Sequence, residues 1–251
     1  MAGKKQKHNK KQSPVIPHID KMGEMGTDNK ILKIQNYIYN NSKKISYIAI
    51  AVIVGVVLIF VIKGTLTKNK AEKTQKAMTA LSRIMPYYNA PDFKRALFGD
   101  SAKTMRGERV IGLLDIIDKY SGTDQAILAA LYAGNSYLTL NKADEAIEYF
   151  EEALDSKSNE VVQAAYAGLG SCYDIKGDLE KAADNYQKAS DLAISDNAIS
   201  RYSYYAARDY EKLNKKEKAE KIYNFIINKG KFSEFANYAK AGLVRLGIKI
   251  D

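Results

Sequence analysis

"YAGNSYLTLNKADEAIEYFEEAL" occupies Tyr132–Leu154, and its pattern returns twice further along the chain. Gly134 is followed 36 residues later by Gly170, which is followed 37 later by Ala207. Three residues beyond each stands a tyrosine: Tyr137, Tyr173 and Tyr210. Twelve beyond each stands an alanine: Ala146, Ala182 and Ala219. Four after each alanine comes an aromatic (Phe150, Tyr186, Tyr223), and the next turn carries Ala153, Ala189 and Ile226. Size classes that recur in fixed order at a fixed period mark a repeat array built from one supersecondary unit. The small residues let two helices approach, and the aromatic fills the space beside them.

The hinge recurs as well. Asn141, Gly177 and Asn214 share one position in the three units. Gly and Asn adopt positive φ most readily and so end a helix in a left-handed cap. A charged stretch after each opens the next helix, so each unit is helix, tight turn, helix.

This pattern resembles the tetratricopeptide repeat, whose period is about 34 residues. The resemblance places units at residues 127–160, 163–196 and 200–233 within a repeat region 123–251. A closing helix over 234–248, with Tyr238, Ala241 and Gly242 matching a first helix, is expected as the polar cap of the array. The units lack the Trp and closing Pro of the family and carry two or three extra residues each. The implied fold is all-α: one N-terminal transmembrane helix followed by an α-solenoid of helical hairpins.

The 251-residue chain has a net charge of +10, unevenly placed. Residues 1–63 hold eleven Lys and three acidic residues, leaving only +2 for the rest. A domain-wide basic footprint for nucleic acid is therefore not expected. The single cysteine, Cys172, excludes an intrachain disulfide and reads as a small core residue.

"ISYIAIAVIVGVVLIFVI" runs from Ile45 to Ile62 without a charge and holds thirteen Ile, Val, Leu or Phe. As a helix it is about 27 Å long, close to the hydrocarbon thickness of a bilayer. Those side chains favour insertion by about 4–8 kcal/mol. A transmembrane helix is expected over 45–63, uncleaved, since 44 residues precede it and no small-residue cleavage site follows. Ten lysines lie before it, so the tail is expected to stay in the cytoplasm and the repeats to lie across a bacterial inner membrane, in the periplasm.

Residues 1–29 read as a disordered basic tail, a topology signal that can also meet anionic lipid. Residues 30–44 place Ile31, Ile34 and Ile38 on one helical face beside Lys30 and Lys33, as in a helix lying at the interface. Residues 70–122 read as a helical linker and N-terminal cap: a helix over 70–85 that Pro86 ends or interrupts, a short helix with a polar loop over 92–110, and a helix over 111–120. Thr123 is the candidate N-cap of the first repeat.

No catalytic chemistry is expected. Both histidines, His8 and His18, lie in the tail. The region beyond it therefore has no His for a nucleophile–base pair or a metal site, and no phosphate-binding loop. No cofactor or metal is predicted. Function then rests on surface recognition. In tetratricopeptide arrays the first helices line a concave groove. By register its candidates are Leu128, Leu131, Tyr132, Asn135 and Leu138, then Ala164, Ala167, Ser171 and Asp174, then Arg201, Tyr204, Tyr205, Arg208 and Lys212. That makes one end apolar and the other aromatic and basic.

"YNNSKKISYIAIAV" and "IGLLDIIDKYSGTDQAILAALYAGNSYLTLNKADEAIEYFEEAL" together resemble the YfgM-type proteins of bacteria, in their Bacteroidetes-like form. That resemblance implies a non-enzymatic ancillary subunit of the Sec translocon. Its implied partners are translocon subunits, a membrane-anchored prolyl-isomerase-type chaperone and emerging secreted proteins. A general scaffold for cell-wall or outer-membrane assembly is the alternative.

Overall fold

A computed structural model describes residues 28–105, 107–230 and 233–249. Most of the basic tail expected over 1–29 lies outside the described residues. The chain divides into two compact units, residues 1–64 and 65–251.

In the first unit, helix α1 (Asp28–Asn40) is followed by the opening stretch of α2 (Ser42–Asn89). The backbone N–H of Asn41 and its side-chain Nδ2 both donate to the Tyr37 carbonyl at 3.0 Å. Ile31, Ile34 and Ile38 are at least half exposed. The apolar stretch of α2 has a mean hydropathy of 3.1 and is 0% buried. In water such exposed hydrocarbon would be strongly unfavourable. By length and composition α2 is able to cross a membrane.

In the second unit α2 continues to Asn89 and carries Pro86 in its last turn. The helix runs four residues past the expected end at 85 for a simple reason. A helical proline loses its own N–H bond and crowds the preceding turn, but later residues keep theirs. Thus Ala90 N–H still reaches the Pro86 carbonyl at 3.0 Å and Asp92 N–H the Tyr87 carbonyl at 2.9 Å.

Helix α3 (Phe93–Phe98) is capped by Asp92, whose Oδ1 accepts from Arg95 N–H at 3.2 Å. The polar stretch after it is not a plain loop. Strands β1 (Gly99–Met105) and β2 (Glu108–Ile111) pair antiparallel, with an irregularity between Asp100 and Thr104. β1 is mostly exposed and held by backbone pairing, β2 buries Val110 in the core, and Gly99 enters at φ 83°. Helix α4 (Leu113–Lys119) then buries Leu113, Ile116 and Ile117 in a core shared with Ala77, Leu81, Ile84 and Leu97.

Three helical pairs follow: α5 (Asp124–Thr139) with α6 (Ala143–Ala153), α7 (Asn159–Lys176) with α8 (Leu179–Leu192), and α9 (Asp196–Lys212) with α10 (Lys216–Lys229). Helix α11 (Glu234–Arg245) closes the array. Thr123, Ser158, Ser195 and Ser233 each accept the third N–H of the helix they cap, an interaction worth about 1 kcal/mol. The hinges are left-handed as their residues dictate: Asn141 at φ 58°, Gly177 at 77° and Asn214 at 57°. Each hinge closes with the same bond, as in Lys142 N–H to the Tyr137 carbonyl at 2.9 Å.

Phe150 is fully buried, with Gly134 on one side and Gly168 of the next unit on the other. A Cβ on Gly134 would come within 2.8 Å of its ring, and one on Gly168 would run into it. Tyr186 packs likewise on Gly170, and Tyr223 on Gly242 of α11. Cys172 is fully buried in this core, and burial pushes its thiol pKa up to about 12.

Candidate protein-binding face

The first helices α5, α7 and α9 carry all the candidate residues. On α5, Leu131 is only 7% exposed and belongs to the core, while Leu128 and Leu138 pack half-buried against it. Tyr132 meets the Tyr88 ring at 4.7 Å between centroids, and Tyr88 hydrogen-bonds Asn135. The last turn of α2 thus lies against Tyr132 and Asn135 at this end.

On α7, the Ser171 hydroxyl donates to the Ala167 carbonyl at 3.0 Å and lies 3.1 Å from the Tyr186 hydroxyl. Burial pushes the Tyr186 phenol up to about 12, with the Ser171 bond acting the other way. Ala164 is half-buried. The Tyr186 ring tilts against Tyr205 of α9 at 5.2 Å.

On α9, Tyr204 and Tyr205 are half-buried and join an aromatic cluster with α11. Tyr204 lies 6.1 Å from Phe235 and 5.5 Å from Tyr238, and Tyr205 lies 6.5 Å from Phe235. Arg201 Nη2 donates to the Tyr202 hydroxyl at 2.8 Å.

At the expected basic end two of the three cations, Arg208 and Lys212, are neutralised. Arg208 bonds Asp174 and reaches Asp209 Oδ1 at 3.1 Å through Nη2. Lys212 Nζ bridges the same two acids, at 3.1 Å to Asp174 and 3.3 Å to Asp209. Two cations thus face two carboxylates. Asp209 is fully buried, its Oδ2 has no hydrogen-bond partner among the described residues, and burial raises its pKa above the ordinary carboxylate value. At the repeat spacing Asp209 follows Ser136 and Cys172, where the other units place a small uncharged residue.

Sequence reasoning missed several contributors. Glu211 accepts from Arg245 at 2.7 and 2.9 Å and from the Tyr223 hydroxyl at 2.6 Å, tying α9 and α10 to α11. The Arg245 bond holds its carboxyl below the usual range. The signal was available, since Leu138 and Asp174 lead to Glu211 at the repeat spacing, whereas Lys212 lies one residue on. Tyr88, Asp209, Phe235 and Tyr238 were not legible as face residues, because each depends on a neighbouring helix.

The sequence profile of the tetratricopeptide repeat matches residues 133–160, from the middle of α5 through α6 to the start of α7, and 164–193, over most of α7 and all of α8. This chain is a helical-repeat protein carrying tetratricopeptide repeats. No curated protein matches it. Tetratricopeptide repeats serve as scaffolds that hold other proteins. The face of this one offers half-buried tyrosines and a charge-balanced polar cluster, a composition suited to contact.

Proposed function

We propose that this protein is a non-enzymatic scaffold, pinned to the bacterial inner membrane by residues 45–63, whose first-helix face holds translocon subunits, a membrane-anchored chaperone or emerging secreted proteins. The repeats lie on the periplasmic side, and the segment before the span, with its ten lysines, stays in the cytoplasm. The observation that carries this proposal is the joining in one chain of tetratricopeptide repeats and a helix whose apolar stretch is 0% buried. Ile31, Ile34 and Ile38 are exposed and suit α1 to the membrane interface beside Lys30 and Lys33. Tyr204, Tyr205, Arg208 and Lys212 form the central contact, Tyr and Arg being common anchors of interfaces.

The test is photocrosslinking in native membranes from positions 204 and 205. Recovery of translocon subunits or the chaperone supports the proposal. Recovery of cell-wall or outer-membrane machinery instead selects general envelope assembly. Orientation is read from Ile194→Cys in a Cys172→Ser background, because Ile194 is 81% exposed. A membrane-impermeant maleimide should label it once the outer membrane is opened. Labelling only after inner-membrane lysis would place the repeats in the cytoplasm.

A further inference from the structure

The opposite side of the array carries two equivalent grooves, each floored by a first helix and walled by two second helices. The earlier groove, between α6, α7 and α8, holds about 320 Å³. The later one, between α8, α9 and α10, holds about 470 Å³. Six lining residues of α7 and α8 in the earlier groove have counterparts in the later one at the 37-residue spacing.

Four of these pairs differ in kind. Tyr166, which lines the earlier groove, is replaced by Ser203, which is fully buried. The Ser203 hydroxyl engages Ser190 at 2.8 Å. Asn185 is replaced by Ile222, and Lys188, whose ammonium lies 5.2 Å above the Tyr166 ring, by Phe225. Phe225 is 48% exposed, which leaves an aromatic face open beside an enlarged space.

Charge changes with it. Lys181 of the earlier groove pairs with Asp178 at 3.0 Å. Its counterpart Lys218 lies 4.8 Å from the Tyr210 ring, and Lys215 stands where Asp178 did. Asp184 is replaced by Lys221. Among the described residues no carboxylate lies within 4.0 Å of the Lys218 or Lys221 ammonium. Lys229, above the Phe225 ring at 6.0 Å, pairs with Asp196, and Asp191 accepts from Gln187.

The geometry points to a second docking site in this groove, for a protein segment that inserts an aromatic or branched apolar side chain against Phe225 and Ile222 and sets an adjacent carboxylate on Lys218 and Lys221. Apolar contact supplies affinity, and the two unneutralised ammonium groups select the sign of the flanking charge. The earlier groove, narrower and with Lys181 already paired, does not offer this site.

The test uses the full chain in lipid nanodiscs and fluorescent peptides read by anisotropy. A peptide with phenylalanine flanked by glutamates should bind about tenfold or more tighter than its lysine-flanked or alanine-centred versions. Ile222→Asn with Phe225→Lys installs the earlier groove's residues and should weaken binding about tenfold or more. The surface change Lys221→Glu, which leaves the apolar wall intact, should reduce the preference for the glutamate-flanked peptide. Peptide binding in this groove is read apart from the crosslinks formed at positions 204 and 205, so failure here is separable from failure of the scaffold proposal, on which the inference does not rest. Equal binding of the three peptides or an inert double substitution would overturn the inference. So would a dimer in sedimentation that Phe225→Lys dissociates, since a second copy would then fill the groove.

Discussion

The junction between the first and second repeats and the junction between the second and third use the same slot differently. In the first, Phe150 sits between Gly134 and Gly168 and needs only room. In the second, Tyr186 packs on Gly170 but meets Tyr205 where Gly168 stood, and its hydroxyl needs Ser171. A buried phenyl ring asks its neighbours for volume, while a buried phenol also asks for a polar partner. The polar demand spreads: alongside Tyr186 the second junction gathers Asp174, Arg208, Asp209 and Lys212. The matched repeat profile ends at residue 193, before this departure is complete.

Six substitutions would sharpen or break that contrast. The largest effect belongs to Phe150→Ala, which empties a fully buried slot and should cost about 3–5 kcal/mol in thermal or chemical melts. A cost below that of Tyr186→Ala would reverse the ranking of the two junctions. Gly168→Ala should come next, at about 1–3 kcal/mol, because its methyl meets the Phe150 ring and overpacks the site. Tyr186→Phe should cost less, about 0.5–1.5 kcal/mol, since it removes one hydroxyl and leaves Ser171 bonded to the Ala167 carbonyl.

The smallest effects are in pH dependence, and neighbouring acids on α9 should act with opposite sign. Asp209 has a folded pKa above its ordinary 3.8, so the native state binds that proton more tightly than the unfolded chain. Its contribution to stability therefore falls as pH rises from that ordinary value through the folded one. Asp209→Asn should remove this loss, seen as a flatter profile of melting temperature above pH 4. Glu211 has a folded pKa below its ordinary 4.5. Its contribution is complete above that value and disappears as pH falls through the folded one. Glu211→Gln should thus destabilise at neutral pH and match the parent protein in acid. Parallel profiles for the two variants would refute the contrast.

The repeats were legible because their determinants are local and periodic. The left-handed hinges at Asn141, Gly177 and Asn214, the cap at Thr123 and the aromatic slots were each readable from residue type at fixed spacing. The hairpin over 99–111 was not. "GDSAKTM" shows no alternation of apolar residues, since β1 is mostly exposed and held by backbone bonds. The charge of the binding face was misjudged for a related reason. Arg208 and Lys212 are visible in the sequence, but their neutralisation depends on Asp174, one repeat away, and on Asp209, buried where the other units carry Ser136 and Cys172.

The burial of Cys172 has a practical consequence. A thiol sealed in the second repeat, its thiolate disfavoured by burial, meets an alkylating reagent only when that repeat opens. Its modification rate in otherwise undisturbed membranes is therefore a native clock for breathing of the array. Any ligand that clamps the second repeat should slow that clock.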